Sequence, residues 1–289
     1  MAIVPLFAYL GQSLVDINEV SLDWIFWLSA GVISGAAIRR SKFRLRQPAL
    51  VYLAAAACLA ASFWWVSYST ARVAASEHYG ASVALLDAGR GLPAVEEAHL
   101  ALQLENRNAL YWSGFGNALS KAGNPGAAYS AFAEAAAREP WNPLHSRNMA
   151  LMKLASGDEA SALQLLQRAI GQDPVDAESL RLAAILTLNK GRYPIAAEYS
   201  RRTLRLVPTD VTMYVTAARA EAALNRFSEA DALLVDGIKR TGSVSLHLLR
   251  AQILMQAGDT SGALSEARFV LGVEPANKDA LDIVAKLQH

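Results

Sequence analysis

From about residue 75 onward, apolar and small residues recur at helical spacing in short segments that a Gly or a Pro brings to an end. Two sets of these terminating residues step along the chain by the same 34-residue interval. They are Gly123, Gly157 and Gly191 in one set, and Pro140, Pro174 and Pro208 in the other. A period near 34 predicts helix–turn–helix units that each bury little alone and gain a core by stacking on their neighbours.

The unit that starts at Ala109 shows the pattern most clearly when places are counted from its first residue. Large apolar side chains stand at places 4, 7 and 24, small residues at 8, 15, 20 and 27, and a proline at 32. In that order they are Trp112, Phe115 and Phe132; Gly116, Gly123, Ala128 and Ala135; and Pro140. Small residues fit where two helices cross, because a larger side chain there would overpack the contact by about 1–3 kcal/mol. A glycine at place 15 ends the first helix in a left-handed conformation.

This pattern resembles the tetratricopeptide repeat family. Units that start at Pro143, Ala177, Val211 and Val244 repeat it, and a degenerate first unit starts at Ala75. The unit from Val211 is one residue short and departs from the pattern through Asn225 at the turn and through Gly237 and Gly242 later. The resemblance covers about 75–277 and implies an all-α fold, an α-solenoid of about six repeats, with 278–289 as a capping helix.

The N-terminal part of the chain has a different pattern. Residues 49–68 form a run of twenty without a charge, which matches the roughly 20 residues that a helix needs to cross a bilayer. A second apolar stretch, 22–38, carries only Asp23 at its edge. We therefore predict a transmembrane helical hairpin of 22–38 and 49–68. The alternative for each stretch is a helix buried inside a soluble protein.

Charges around these stretches predict the topology. Five basic residues crowd the short loop 39–48, whereas the apolar N-terminal segment and loop 1–21 carry only acidic charges. Since Lys and Arg bias short loops toward the cytoplasm, we expect 39–48 inside, both flanks outside, and a multi-pass protein of a cell (inner) membrane with an extracytoplasmic array. Trp64, Trp65 and Tyr68 would then lie at the outer interface. The alternatives are a basic patch for anionic lipid or nucleic acid, and an array in the cytoplasm.

Candidate catalytic chemistry is sparse. The only cysteine is Cys58, and no two of the five histidines stand at helical i, i+3 or i, i+4 spacing. Neither a phosphate-binding glycine loop nor a nucleophile elbow is present. Beyond residue 70, basic and acidic residues nearly balance, so nothing indicates a polyanionic partner. We therefore expect no enzyme activity, no metal, no cofactor and no nucleic-acid ligand.

The resemblance implies that the first helix of each unit lines a concave surface through places 2, 5, 6, 9, 12 and 13. The polar residues at such places are Asn117, Lys121, Arg147, Asn148, Arg181, Asn189, Arg219 and Gln252. Amide and guanidinium groups suit the backbone or a carboxylate of an extended peptide. We predict a protein or peptide ligand in this groove, the alternative being a solvated polar face without a ligand.

Two variations on this binding mode remain open. Members of the family that clamp a C-terminal carboxylate use five basic and amide residues in three units. Asn117 and Asn148 match that set, whereas Ser113, Glu178 and Leu182 depart from it. The same surface also carries apolar residues, so a hydrophobic helix or peptide is an equal alternative. They are Leu151, Leu154, Ile185 and Leu188.

A second resemblance concerns the stretch 10–32, which reads LGQSLVDINEVSLDWIFWLSAGV. It looks like the C-terminal membrane end of O-antigen ligase/polymerase-type proteins, some of which add a repeat domain outside the cytoplasm. Their catalytic residues lie upstream, and no position here corresponds to them. Two hypotheses follow: a membrane-anchored repeat scaffold for protein binding in the cell envelope, or the C-terminal part of a polysaccharide ligase or polymerase that acts with a multi-span membrane partner.

Overall fold

The structure, a computed structural model, describes residues 48–288, and these residues form helices joined by short turns. The predicted segments 1–21 and 22–38, and most of the loop 39–48, lie outside the described residues. The helices are α1 Pro48–Asp87, α2 Gly91–Leu104, α3 Ala109–Lys121, α4 Pro125–Arg138, α5 Pro143–Ala155, α6 Glu159–Gln172, α7 Ala177–Asn189, α8 Tyr193–Leu206, α9 Val211–Ala223, α10 Phe227–Thr241, α11 Val244–Ala257, α12 Thr260–Val273 and α13 Lys278–Leu287.

The chain divides into two compact units, and the described part of the first comprises 48–80 and 100–105. It contains most of α1, whose residues include a row of exposed apolar side chains. They are Leu53, Leu59, Phe63, Trp64, Val66, Tyr68 and Val73. The rings of Trp64 and Tyr68 stack with 5.6 Å between their centroids, and Nε of Arg72 lies 3.3 Å from Oε1 of Glu105.

Within the described residues, no helix combines the length and the apolar character that crossing a membrane requires. The transmembrane hairpin predicted from the sequence is therefore unconfirmed.

The second unit comprises 81–99 and 106–288 of the described chain, and it is an array of helix pairs. In each of the pairs α3–α4, α5–α6, α7–α8, α9–α10 and α11–α12, a first helix packs on a second helix, and each second helix then packs on the next first helix. Contacts also join first helices directly: α7 touches α9, α9 touches α11, and α11 touches α13. First helices therefore form an inner layer and second helices an outer layer, as in an α-solenoid of the predicted type.

Turn chemistry explains where the first helices end. Gly123, Gly157 and Gly191 have φ of 81°, 76° and 70°, so the predicted left-handed turn is confirmed at place 15. Asn225 has φ of 59° at the same place in its unit, which asparagine tolerates better than most residues. The beginnings of the helices are also specified locally, because a side chain caps the free backbone N–H groups in most units. The capping residues of α3, α4, α5, α6, α9, α12 and α13 are Asn108, Asn124, Asn142, Asp158, Asp210, Asp259 and Asn277.

The core lies between the two layers. One cluster joins α5, α6 and α7 around Leu166 and Leu180, both fully buried. A second cluster joins α9, α10 and α11 around Tyr214, Leu234 and Leu246. Since each cluster draws side chains from two neighbouring units, each unit depends on the next for its apolar interior.

Candidate functional site

All eight predicted site residues lie on first helices, and the structure distributes them along the inner layer. Asn117 and Lys121 belong to α3, Arg147 and Asn148 to α5, Arg181 and Asn189 to α7, Arg219 to α9 and Gln252 to α11. Because the helices of this layer lie side by side, residues 135 positions apart in sequence come to share one layer. Nothing in the structure identifies a ligand for them, so their role as a binding site remains a prediction.

Two of the predicted residues are held in ion pairs. Nη1 of Arg147 donates to Oδ1 of Asp176 at 2.7 Å, and both side chains are mostly buried. This pair links α5 to the residue that precedes α7. Nε of Arg181 donates to Oε2 of Glu178 at 3.0 Å on the same helix, and hydrogen bonding to Glu178 raises the pKa of Arg181. Both guanidinium groups are therefore engaged within the array.

The other six predicted residues form no ion pair or side-chain hydrogen bond with any residue between 48 and 288. They are Asn117, Lys121, Asn148, Asn189, Arg219 and Gln252, and all are exposed or half-buried. Amide groups both donate and accept, which matches the alternating N–H and C=O groups of an extended peptide. Lys121 and Arg219 add two positive charges that can pair with carboxylates of a ligand.

The structure gives little support to the alternative that this surface binds a hydrophobic helix or peptide. Leu151 is exposed, but Leu154, Ile185 and Leu188 are half-buried. Leu154 packs against the core cluster of α5–α7. Leu188, like Tyr193, packs against a small cluster of buried alanines on α8 and α9. These leucines therefore contribute mainly to the interior of the array.

Sequence reasoning missed a chain of polar contacts next to the predicted surface. Oγ of Ser113 lies 3.1 Å from Nδ1 of His145, and Nε2 of the same ring lies 3.3 Å from Oε2 of Glu139. A hydrogen bond from Asn142 lowers the pKa of Glu139, with a further contribution from His145. The His145 ring is buried, so the contacts tie α3 to α5. They also show that Ser113, which departs from the carboxylate-clamp set, contributes to a contact between helices.

A second network that the sequence did not indicate lies between α10, α11 and α12. Arg250 Nε donates to Asp231 Oδ1 at 2.6 Å, and its Nη1 pairs with Glu266. Oε2 of Glu266 lies 2.6 Å from Nδ1 of His247, whose ring lies against that of Phe269 with 4.0 Å between centroids and a tilt of 30°. Because the partners are about 16 to 19 residues apart on different helices, no local pattern reveals them. Across the described chain, no three His, Cys, Asp or Glu side chains are grouped as metal ligands.

Comparisons with solved structures agree with this architecture. The structure is similar to PilF of Pseudomonas aeruginosa, with a TM-score of 0.59 and 17% identity over 75% of this chain and 99% of that one. It is also similar to PilW, described as a widely conserved type IV pilus biogenesis factor, with a TM-score of 0.57 and 15% identity over 73% and 98% of the two chains. No protein-family model and no curated protein sequence matches the chain.

A third similar structure is the hetero-tetramer Cut9–Hcn1 of the APC/C, with a TM-score of 0.52 and 16% identity. The match covers 98% of this chain and 59% of that one. At these identities the likeness shows the fold alone: an all-α array of tetratricopeptide-type repeats. None of these structures is an O-antigen ligase or polymerase, so the resemblance of the stretch 10–32 remains a prediction.

Proposed function

We propose that this protein is a non-enzymatic scaffold whose array binds an extended segment of a partner protein along its inner layer. The observation that carries the proposal is the row of six amide and basic side chains without a partner in the described chain, spread over α3, α5, α7, α9 and α11. Repeat arrays of this type present extended concave surfaces for binding. A similar structure supports the same class, since Cut9–Hcn1 is a complex between proteins.

The proposal is tested by affinity capture with the full chain and two variants. The first variant combines Asn148→Ala and Arg219→Ala on the inner layer, and the second combines Gln164→Ala and Arg168→Ala, two exposed residues of α6 in the outer layer. We expect a partner that the wild type and the outer-layer variant retain and that the inner-layer variant loses by at least tenfold. Equal capture by all three proteins would contradict binding through the inner layer.

We further propose that the N-terminal part associates with a membrane and that the array lies on the extracytoplasmic side. Support comes from the uncharged run 49–68, from the basic loop that precedes it, and from the exposed apolar side chains of α1. The stacked rings of Trp64 and Tyr68 have the amphipathic character that suits a bilayer interface. An anchored array would present its inner layer to partners in the cell envelope.

Topology is tested by thiol labelling in a background without the native cysteine, Cys58→Ser. Ser265→Cys places a single thiol at an exposed position of α12. An impermeant maleimide should label it in intact cells with the outer membrane permeabilised, and to the same extent after lysis. Labelling only after lysis would place the array in the cytoplasm, and recovery of the full chain in the soluble fraction without detergent would argue against anchoring.

A further inference from the structure

A cleft of about 460 Å³ opens in the outer layer between α8 and α10, with the first helix α9 at its base. Three guanidinium groups line it together with apolar side chains. The cations are Arg201, Arg205 and Arg240, and the apolar residues include Leu204, Pro208 and Leu233. Positive charge beside apolar surface is thus concentrated at one junction between repeats.

Three other junctions of the array are bridged at the corresponding position by a side chain of the following second helix. Nε of Arg138 donates to the carbonyl of Asn106 at 2.9 Å, Nε2 of Gln172 donates to that of Pro140, and Nη2 of Arg202 donates to that of Pro174 at 3.0 Å. In each case the side chain crosses from one unit to the preceding turn, so it covers the junction.

The junction at Pro208 is arranged differently. Its carbonyl accepts a hydrogen bond from Tyr214 Oη at 3.2 Å, much as the carbonyl of Asn106 accepts one from Trp112 Nε1. The Tyr214 hydroxyl also lies 2.8 Å from Oδ2 of Asp236. Arg240, which occupies the place that Arg138 and Gln172 hold in their units, turns to Asp236 at 2.8 Å. The side chain of Arg240 therefore does not cross this junction, and the cleft stays open at Tyr214.

The charges around this cleft do not cancel. Asp236 is its only acidic lining residue, and it is already paired with Arg240. Arg201 contacts the buried Glu221 at 2.6 Å while its side chain stays 43% exposed. Arg205 is exposed and makes no ion pair within residues 48–288. One guanidinium is thus uncommitted, and two more face the same space with donors to spare.

We infer that this cleft binds an acidic peptide segment, a second site distinct from the inner layer. A carboxylate of the peptide lies among Arg201, Arg205 and Arg240, and a neighbouring apolar side chain packs on Leu204, Pro208 and Leu233. Arginine favours this ligand because its planar fork matches a carboxylate in two parallel hydrogen bonds. The apolar lining favours a peptide over a small free anion, since a free anion would leave that surface uncovered.

The test uses the full chain and a fluorescein-labelled nonapeptide of three Glu-Leu-Gly repeats, with a peptide of three Gln-Leu-Gly repeats as the uncharged control. Fluorescence anisotropy should show tighter binding of the acidic peptide, by about tenfold, and weakening of that binding by added salt. Arg205→Gln should lower the affinity by about tenfold, whereas Arg268→Gln, which removes an exposed arginine of α12, should leave it unchanged. Far-UV circular dichroism checks that both variants stay helical.

Further outcomes separate this inference from the inner-layer proposal. The Asn148→Ala, Arg219→Ala variant should bind the acidic peptide as the wild type does. If that variant loses the peptide and Arg205→Gln does not, the peptide occupies the inner layer and the outer cleft is not a peptide site. Equal affinities for the acidic and uncharged peptides, or displacement of the acidic peptide by equimolar inorganic phosphate, would also overturn the inference.

Discussion

Two repeats of the array bury an aromatic ring by opposite means. In the pair α3–α4 the ring is Phe132 on the second helix, and it packs against Gly116 on the first. In the pair α9–α10 the ring is Tyr214 on the first helix, and it packs against Gly237 on the second. Both rings are almost fully buried, at 1% and 2% exposure.

The two contacts stand at different places of the repeat, 8 with 24 in the first pair and 4 with 27 in the second, and in both a ring on one helix fills the space beside a glycine on the other. A Cβ atom on Gly116 would lie 2.7 Å from Cε1 of Phe132, and one on Gly237 would lie 2.8 Å from Cγ of Tyr214. Neither distance is tolerated between carbon atoms. Each ring is therefore accommodated because the facing helix has no side chain at that point.

Removing a ring should produce the largest loss. Phe132→Ala leaves a cavity between α3 and α4, so we expect the free energy of unfolding to fall by about 3–5 kcal/mol. Urea denaturation followed by circular dichroism measures it. Leu110→Ala is the control, because Leu110 is 51% exposed and should change stability by no more than about 0.5 kcal/mol. A loss below about 1 kcal/mol for Phe132→Ala would mean that the ring is not tightly packed.

The next largest loss of stability is expected from adding a methyl group opposite either ring. Gly116→Ala and Gly237→Ala should each destabilise the array by about 1–3 kcal/mol through overpacking. Gly171→Ala is the matched control, since nothing lies within 4 Å of its added Cβ, and it should stabilise α6 by about 0.5–1 kcal/mol. Combining Gly116→Ala with Phe132→Leu should cost less than the sum of the two single changes, and simple additivity would show that the two sites do not share one space.

Much of this architecture follows from the sequence because its causes are local and periodic. Left-handed turns at Gly123, Gly157 and Gly191 require only the conformational freedom of glycine at one place. The pairing of Tyr214 with Gly237 could not be foreseen in the same way. In the sequence Gly237 is a departure from the pattern. Its role becomes clear only when α9 and α10 pack together and bring it against Tyr214, 23 positions earlier in the chain.

The same distinction between local patterns and contacts distant in sequence applies to the candidate surface. The 34-residue register suffices to assign all eight predicted residues to first helices. It does not indicate that Arg147 pairs with Asp176, because that contact depends on the distance between α5 and the start of α7. The same holds for the cleft at Arg205, which exists because Arg240 turns to Asp236 instead of covering the junction.

Place 11 offers a further comparison between the two repeats. In the α3–α4 repeat, Leu119 is half-buried at this place. In the α9–α10 repeat, Glu221 at the same place is fully buried beside Arg201 and Arg226. Arg201→Ala leaves the carboxylate with Arg226 alone, at 3.4 Å, so we expect a loss of about 1–2 kcal/mol after allowing for the exposure of Arg201. Glu221→Leu, which copies the α3–α4 repeat, should cost less than Arg201→Ala when both variants are compared with the wild type in thermal melts. The reverse order would contradict an electrostatic role for this pair.

The hydroxyl of Tyr214 should contribute less than its ring. Tyr214→Phe keeps the ring and removes the hydrogen bonds to Pro208 and Asp236, at a cost of about 1 kcal/mol. Burial raises the pKa of Tyr214 to about 12, with a further contribution from Asp236. Because the folded pKa lies above the ordinary value of 10, this stability is fully present below pH 10 and is lost as the pH rises through 12. Absorbance at the wavelength of tyrosinate should show a late step that Tyr214→Phe removes.

The smallest expected effect is the contribution of Asp236 to stability, which is lost at acidic pH. A hydrogen bond from Arg240, and then one from Tyr214, lower the pKa of Asp236 below its ordinary value of 3.8. Its contribution is therefore present above about pH 4 and is lost as the pH falls through the lowered value. Asp236 is half exposed, so Asp236→Asn should cost no more than about 0.5 kcal/mol at pH 7 and nothing near pH 2.

In the α3–α4 repeat, the exposed Glu134 pairs with Arg138 at 2.7 Å but does not contact a buried ring, so Glu134→Gln should cost less at pH 7. Equal losses for the two variants would mean that the link to Tyr214 adds nothing to the pair of Asp236 with Arg240.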